Sequence, residues 1–373
     1  MVHRLFRLLL VGVSLQTQAL GLSTRSAVRV NTVTHSKSRT LRHVATESSA
    51  LTSDVKPKPS FPTILWKFTR PHTIIGSAMA IPSLHFLAAP SIAAALSPLC
   101  WQSMLYAMIP SLLMNLYITG LNQITDVEID RINKPDLPIA AGLLSMKTAI
   151  AIVSLAFVGS VSMGIANPVF GTRGLNSALW ASALFGTVYS LPPLRLKRFP
   201  IWAAFCIVAV RGLVINASFF AHAQAAAFQT PTTVIASLLG NAQCLWSSIF
   251  FAVFGLVIAL MKDVPDVLGD QTLNIRTFSV RLGQKTVFMA MRNLLTALFW
   301  GSGAFFLQQA TRATSPGVTV ARVITGMSAV LFGWSVRKES QGVDATDSDQ
   351  VYSYYMHLWK LFYGSYLILP FAM

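Results

Sequence analysis

The chain has 373 residues, 53% hydrophobic and only 11% charged, with a mean hydropathy of +0.57. Soluble domains carry about a quarter charged residues, so a water-soluble enzyme is excluded, as is a disordered chain, which needs low hydrophobicity. The 29 Lys and Arg against 13 Asp and Glu give a net charge of +16, yet too little polar surface exists to display a nucleic-acid-binding face.

Residues 1–60 hold nine Lys and Arg, many Ser and Thr, and no acid before Glu47. Arg4 and Arg7 precede a short apolar run, Leu8 to Val13, then the small-residue pattern Ala19-Leu20-Gly21. That start has the form of a secretory signal, too short to span a bilayer. The basic, hydroxylated stretch from Ser23 to Arg42 has the form of an organellar transit peptide. Together they suggest a bipartite leader such as proteins of complex algal plastids carry; a simple organellar presequence is the alternative. Either leader is expected to be removed, with seven units of the net charge, leaving residues 61–373 as the working domain.

From Phe61 onward the chain alternates long, nearly uncharged runs with short charged ones. A helix needs about 20 apolar residues to cross the hydrocarbon. Pro71 to Thr125 is free of charge and long enough for two helices joined near Pro90–Pro98. Further spans are expected near 148–172, 174–194, 199–219, from about Val234 to Met261, and near 286–308, 316–336 and 352–372. The fold class is therefore all-α, a multi-pass membrane protein of about nine transmembrane helices. With nine spans most cations fall on one face, including Arg70, Lys134, Arg195, Lys197 and Lys262, as the positive-inside bias requires. Cys100, Cys206 and Cys244 lie in apolar runs with no metal-type spacing and read as small core residues.

Seven of the 11 acids beyond the leader fall into two windows on that same face. In the first, Asn122, Asp126 and Asp130 recur at four-residue steps, which align them on one helix face, with Glu128 pointing elsewhere. In the second, Asp263, Asp266 and Asp270 lie close together on a helical projection, while Pro265 and Gly269 indicate a helix ending there. Aligned carboxylates repel unless a hard cation intervenes. Mg2+ suits them, because it binds through a few carboxylates and shares its other positions with water and substrate phosphates. Arg and Lys from adjacent loops would bind the outer phosphate oxygens. The bland alternative is that these acids solvate loops and pair locally. Glu339, Asp344, Asp347 and Asp349 have no helical register and read as a solvated loop.

At these residues the chain resembles the UbiA superfamily of intramembrane prenyltransferases, nine helices around a lipid-open cavity. The finer resemblance is to homogentisate prenyltransferases of plants and algae. It is carried by Asn122-Gln123, Asn133-Lys134-Pro135 and Leu137-Pro138-Ile139-Ala140-Ala141-Gly142. The segments Trp66–Thr73, Tyr189–Arg198, Ile275–Lys285 and Trp359–Tyr363 add to it. Thr125, Asp136 and Leu268 depart from the common pattern.

The resemblance implies Mg2+-dependent transfer of a prenyl group from its diphosphate to homogentisate, with loss of CO2, in tocopherol or plastoquinone biosynthesis at a plastid membrane. It implies that the catalytic carboxylates Asp126, Asp130, Asp266 and Asp270 hold the metal, assisted by Asn122 and Asp263. Arg70, Lys134, Arg195 and Lys197 would bind the diphosphate, and His72, Tyr189 or Arg211 the acceptor. Arg211 stands out, because a cation in mid-span is costly and marks function. The flanking motifs point partly to a phytyl and partly to a solanesyl donor, and the sequence leaves that choice open. The rivals are another aromatic acceptor (chlorophyllide, a hydroxybenzoate or a naphthoate) and, from another class, a multi-span transporter. No obligatory protein partner is evident.

Overall fold

The computed structural model describes residues 59–272 and 275–372, so the expected leader lies outside the described residues. The chain divides into two units at Ser60–Phe61, and the second unit, Phe61–Met373, holds all the helices discussed below.

Among the described residues nine helices have 18 residues or more: α1 (Pro71–Ala88), α2 (Pro98–Thr125), α3 (Met146–Ala166), α4 (Arg173–Ser190), α5 (Pro200–Ala227), α6 (Ala242–Lys262), α7 (Gln284–Ala310), α8 (Pro316–Glu339) and α9 (Ser348–Ile368). Five of them, α2, α3, α5, α6 and α8, are long and apolar enough to cross a membrane by length and composition alone. The expected runs and the observed helices coincide closely, with one revision. The run from Val234 is interrupted at Asn241, whose side chain accepts from the N–H groups of Gln243 and Cys244 and starts α6 anew. A separate short helix, Val234–Gly240, precedes it.

The helix starts are written in the sequence. Pro71, Pro98, Pro200 and Pro316 occupy first-turn positions where a missing N–H costs nothing. Ser97, Ser145, Thr172, Ser315 and Asp347 cap α2, α3, α4, α8 and α9 through side-chain oxygens. Asp347, expected in a solvated loop, thus also begins α9.

Interior packing uses small residues for close approach and aromatics for bulk, as expected where lipid removes the hydrophobic drive between helices. A Cβ on Gly174 of α4 would stand 2.5 Å from the His222 backbone nitrogen of α5. One on Gly212 of α5 would stand 2.6 Å from the Ala252 Cα of α6. An aromatic cluster of Phe250, Phe251, Phe254, Phe299, Phe362 and Tyr366 joins α6, α7 and α9, with Phe251 stacked on Tyr366 at 3.8 Å. All three cysteines are buried and free. His85 and His222 are buried and share the Ser103 hydroxyl, each at 3.2 Å, in an interior polar network.

Candidate functional site

α2 breaks at Asp126, whose backbone leaves the helical region (φ −116°, ψ 15°), and a short helix, Val127–Asn133, follows. The expected face survives the break: the Asn122 amide donates to Asp126 at 2.8 Å, and the Asp130 N–H donates to the Asp126 carbonyl at 2.8 Å. Glu128 is exposed. The second window breaks likewise. α6 ends at Lys262, Asp263 caps it, and Asp270 sits on the short helix Val267–Thr272, with Leu268 turned outward at 71% exposure.

Asn133 ties the two windows together. Its amide donates to the Asp266 carbonyl at 3.2 Å, and its oxygen accepts the Gly269 N–H at 3.1 Å. Gly269 permits the approach, since a Cβ there would lie 2.1 Å from the Asn133 oxygen. Lys134 crosses the same gap to pair with Asp266. Asp126, Asp130, Asp266 and Asp270 are each at most 8% exposed, a burial that carboxylates tolerate only with partners.

For Asp126, Asp130 and Asp266 the partners are the expected cations. Arg195 donates to Asp126 at 3.0 Å and to the Thr125 carbonyl at 3.2 Å, and Lys197 also pairs with Asp126. Arg70 lies 3.8 Å from Asp130. Arg70 and Arg195 both adopt left-handed backbone (φ 51° and 37°), a conformation that costs a non-glycine residue of order 1–3 kcal/mol and clusters at functional sites. Lys262, which the sequence reading did not assign, lies 3.4 Å from Asp263 and donates to the Tyr189 hydroxyl at 3.2 Å. Its position at the end of an apolar run, directly before Asp263, is the signal that could have found it.

Electrostatics differ across the cluster. Burial opposes ionisation of Asp126, but Lys197 and Arg195 outweigh it and hold its carboxyl below the usual range. Burial pushes Asp130 up to about 6 against the pull of Arg70 and Lys134. Burial, reinforced by Asp263 and Asp266, pushes Asp270 up to about 7. Burial also lowers Lys197 to about 8 in spite of Asp126.

The fit of a divalent cation follows from these donors. Among the described residues no three carboxylates or imidazoles converge closely enough to cage an ion by themselves. The buried Asp130 Oδ2 accepts no hydrogen bond, and the raised Asp130 and Asp270 lack enough positive charge nearby. Hard oxygen donors in two separated sets suit Mg2+ completed by water and phosphate, rather than an all-protein cage.

Beneath this cluster lies a cavity of about 210 Å³ between α1, α2, α4, α5 and α6. Arg70, Asn122, Tyr189 and Lys262 line it, and so connect it to the carboxylate cluster. Met114, Ile118, Leu179, Phe185, Ile207 and Phe219 make its walls apolar. Thr73, Ser77, Asn115 and Thr119 add a polar stripe that the sequence reading did not single out.

The three expected acceptor residues separate. Tyr189 and Arg211 line the cavity. His72 instead packs against Trp359, ring centroids 5.2 Å apart, and against Tyr355. Arg211 sits in a π-helical turn, Ala209–Val214, its guanidinium 4.7 Å from the Trp359 ring centroid. Asn216 donates to the Arg211 main-chain carbonyl at 2.7 Å, leaving the guanidinium untouched.

Residues 71–361 match the model of the UbiA prenyltransferase family. The chain is 40% identical over 308 residues to homogentisate phytyltransferase 1, chloroplastic, of Arabidopsis thaliana, covering 82% of this chain and 74% of that protein. It is 34% identical over 317 residues to the homogentisate solanesyltransferase, chloroplastic, of the same plant, covering 83% of this chain and 77% of that protein. Its fold matches a UbiA homologue from Archaeoglobus fulgidus bound to GPP and Mg2+, with a TM-score of 0.54 at 13% identity over 82% of this chain and 99% of that one. Two paired Asp windows over an apolar cavity and a family match that spans most of the chain make it a member of the UbiA prenyltransferase family.

Proposed function

We propose that this chain transfers a long prenyl group from its diphosphate to homogentisate at a plastid membrane, with loss of CO2. The supporting observation is the junction of the two Asp windows through Asn133 and Lys134, next to a cavity with apolar walls that Arg70, Asn122 and Lys262 line. Its relatives of both the phytyl and the solanesyl type leave the donor to be fixed by experiment.

Asp126, Asp130, Asp266 and Asp270 would hold Mg2+, with Asn122 and Asp263 supporting them. The metal, when bound, supplies positive charge to the diphosphate oxygens where negative charge grows in the transition state. Arg70, Lys134, Arg195 and Lys197 add further charge on the outer oxygens. Lys134, Arg195 and Lys197 also pair with Asp266 and Asp126, so they link the diphosphate subsite to the carboxylates.

The allylic C1–O bond breaks with its electron pair going to the diphosphate. Ile118, Phe185 and Ile207 shelter the resulting cation from water. A ring carbon of the acceptor bonds to C1 and gives up its proton. The bond from the side-chain methylene to its carboxylate then breaks, CO2 leaves, and the methylene carbon takes a proton to become methyl. One proton leaves the ring and one returns to the side chain, so the reaction balances as diphosphate, CO2 and a prenylated methylquinol. Tyr189 and Arg211, which line the cavity, would contact the acceptor.

Asp126→Asn and Asp266→Asn test the metal assignment. Each is expected to lower Mg2+-dependent turnover at least about 100-fold while the protein stays inserted in the membrane. Full activity in either variant would contradict it.

A further inference from the structure

Resting on the reading that the acceptor is homogentisate, a second feature of the cavity specifies how that molecule is recognised. Arg211 lines the cavity from the π turn of α5, about 16 Å of helical rise beyond Pro200. Its guanidinium lies over Trp359 and Phe362, 4.7 and 5.6 Å from their ring centroids. Aromatic faces attract the charge, but they do not satisfy five planar N–H donors.

Among the described residues no carboxylate pairs with Arg211. The ion pairs of the site engage Arg70, Lys134, Arg195, Lys197 and Lys262 instead. The root of the side chain is also fixed. Asn216 holds the Arg211 and Gly212 carbonyls at 2.7 and 2.8 Å, and a Cβ on Gly255 would stand 3.2 Å from the Arg211 Cβ. A permanently charged, planar donor held in a cavity without a counter-ion is a preformed site for a carboxylate.

We infer that Arg211 is the counter-ion of the acceptor's carboxylate, and that it lets the pocket distinguish this acid from the quinol the acid becomes. Before reaction the carboxylate neutralises the guanidinium. Cleavage of the methylene–carboxylate bond releases neutral CO2, the electron pair left on the methylene takes up a proton, and the methyl group so formed offers Arg211 nothing. The same contact that selects the substrate therefore weakens the hold on the product. Arg211 is a specificity-determining residue here, and the apolar walls supply affinity that acid and quinol share.

The test compares homogentisate with methylhydroquinone, the same ring without its carboxylate, in the full chain reconstituted with Mg2+ and a prenyl diphosphate. In the native chain methylhydroquinone should inhibit only at concentrations about 100-fold above the homogentisate KM. In Arg211→Met the homogentisate KM should rise about 100-fold. The diphosphate KM should stay within about twofold, and methylhydroquinone should bind more tightly than before.

Arg211→Lys keeps the charge without the planar fork, so it should fall between the two, and it carries the test if Arg211→Met fails to insert. A raised diphosphate KM with unchanged homogentisate KM would overturn the inference by making Arg211 a diphosphate ligand. Equal weakening of acid and quinol would overturn it by making the role structural. Absence of any product from the native chain would instead refute the underlying assignment of homogentisate, so the two failures are distinguishable.

Discussion

Asp130 and Asp270 are the carboxylates whose charge the protein supports least, since burial raises them to about 6 and about 7. A metal binds only the deprotonated forms, so binding must release whatever protons these two residues hold. The sign follows directly: lowering the pH through 7 and then 6 protonates both and weakens the metal. Between pH 8 and pH 6 the half-saturating Mg2+ concentration should rise about 20-fold if both act as ligands. Titrating activity with Mg2+ at the two pH values checks this, and a constant midpoint would remove them from the metal site. Asp126 behaves oppositely, because Lys197 and Arg195 keep its carboxyl low, and it should stay ionised across this range. Not every partner in this network was legible in the sequence. The four-residue step from Asn122 to Asp130 announced the carboxylates, because helical spacing survives the break at Asp126. Nothing local announced that Arg195 and Lys197 would close on Asp126 from 69 and 71 residues away.

The same limit holds for the elements. Apolar run length alone located the nine long helices, since a span's length and lack of charge are written in its own residues. Where two elements meet was not legible, because close approach depends on the partner's backbone. Gly269 read as a helix terminator, yet its larger consequence is to let Asn133 reach across and join the two windows. A Gly269→Ala substitution must displace Asn133 from its present position. The windows should then separate, with turnover falling at least about tenfold and the Mg2+ midpoint rising, because misplacement of about 1 Å at a reacting centre is costly. Unchanged kinetics in a chain of native stability would show that the Asn133 bridge is dispensable. The π turn at Ala209–Val214 was equally hidden, although the mid-span Arg211 it carries was visible from the sequence as a costly charge.

Across the whole molecule, the shortage of charge proves to be an arrangement. Among the described residues five ion pairs collect around the Asp windows, and the buried interior of the second unit is otherwise mostly apolar. Every residue assigned to the site lies in that unit, Phe61–Met373. A chain starting at Phe61 should therefore retain prenyl transfer when inserted in membranes but fail to reach the plastid, as activity and fractionation assays would show. Loss of activity on removing residues 1–60 would contradict their reading as a leader.

The central claim is tested most directly by supplying the reconstituted protein with Mg2+, carboxyl-labelled homogentisate and, separately, phytyl, geranylgeranyl or solanesyl diphosphate. Labelled CO2 should be released in step with a prenylated methylquinol for at least one donor. No product with any of them, or a prenylated product that keeps its carboxyl group, would contradict the account.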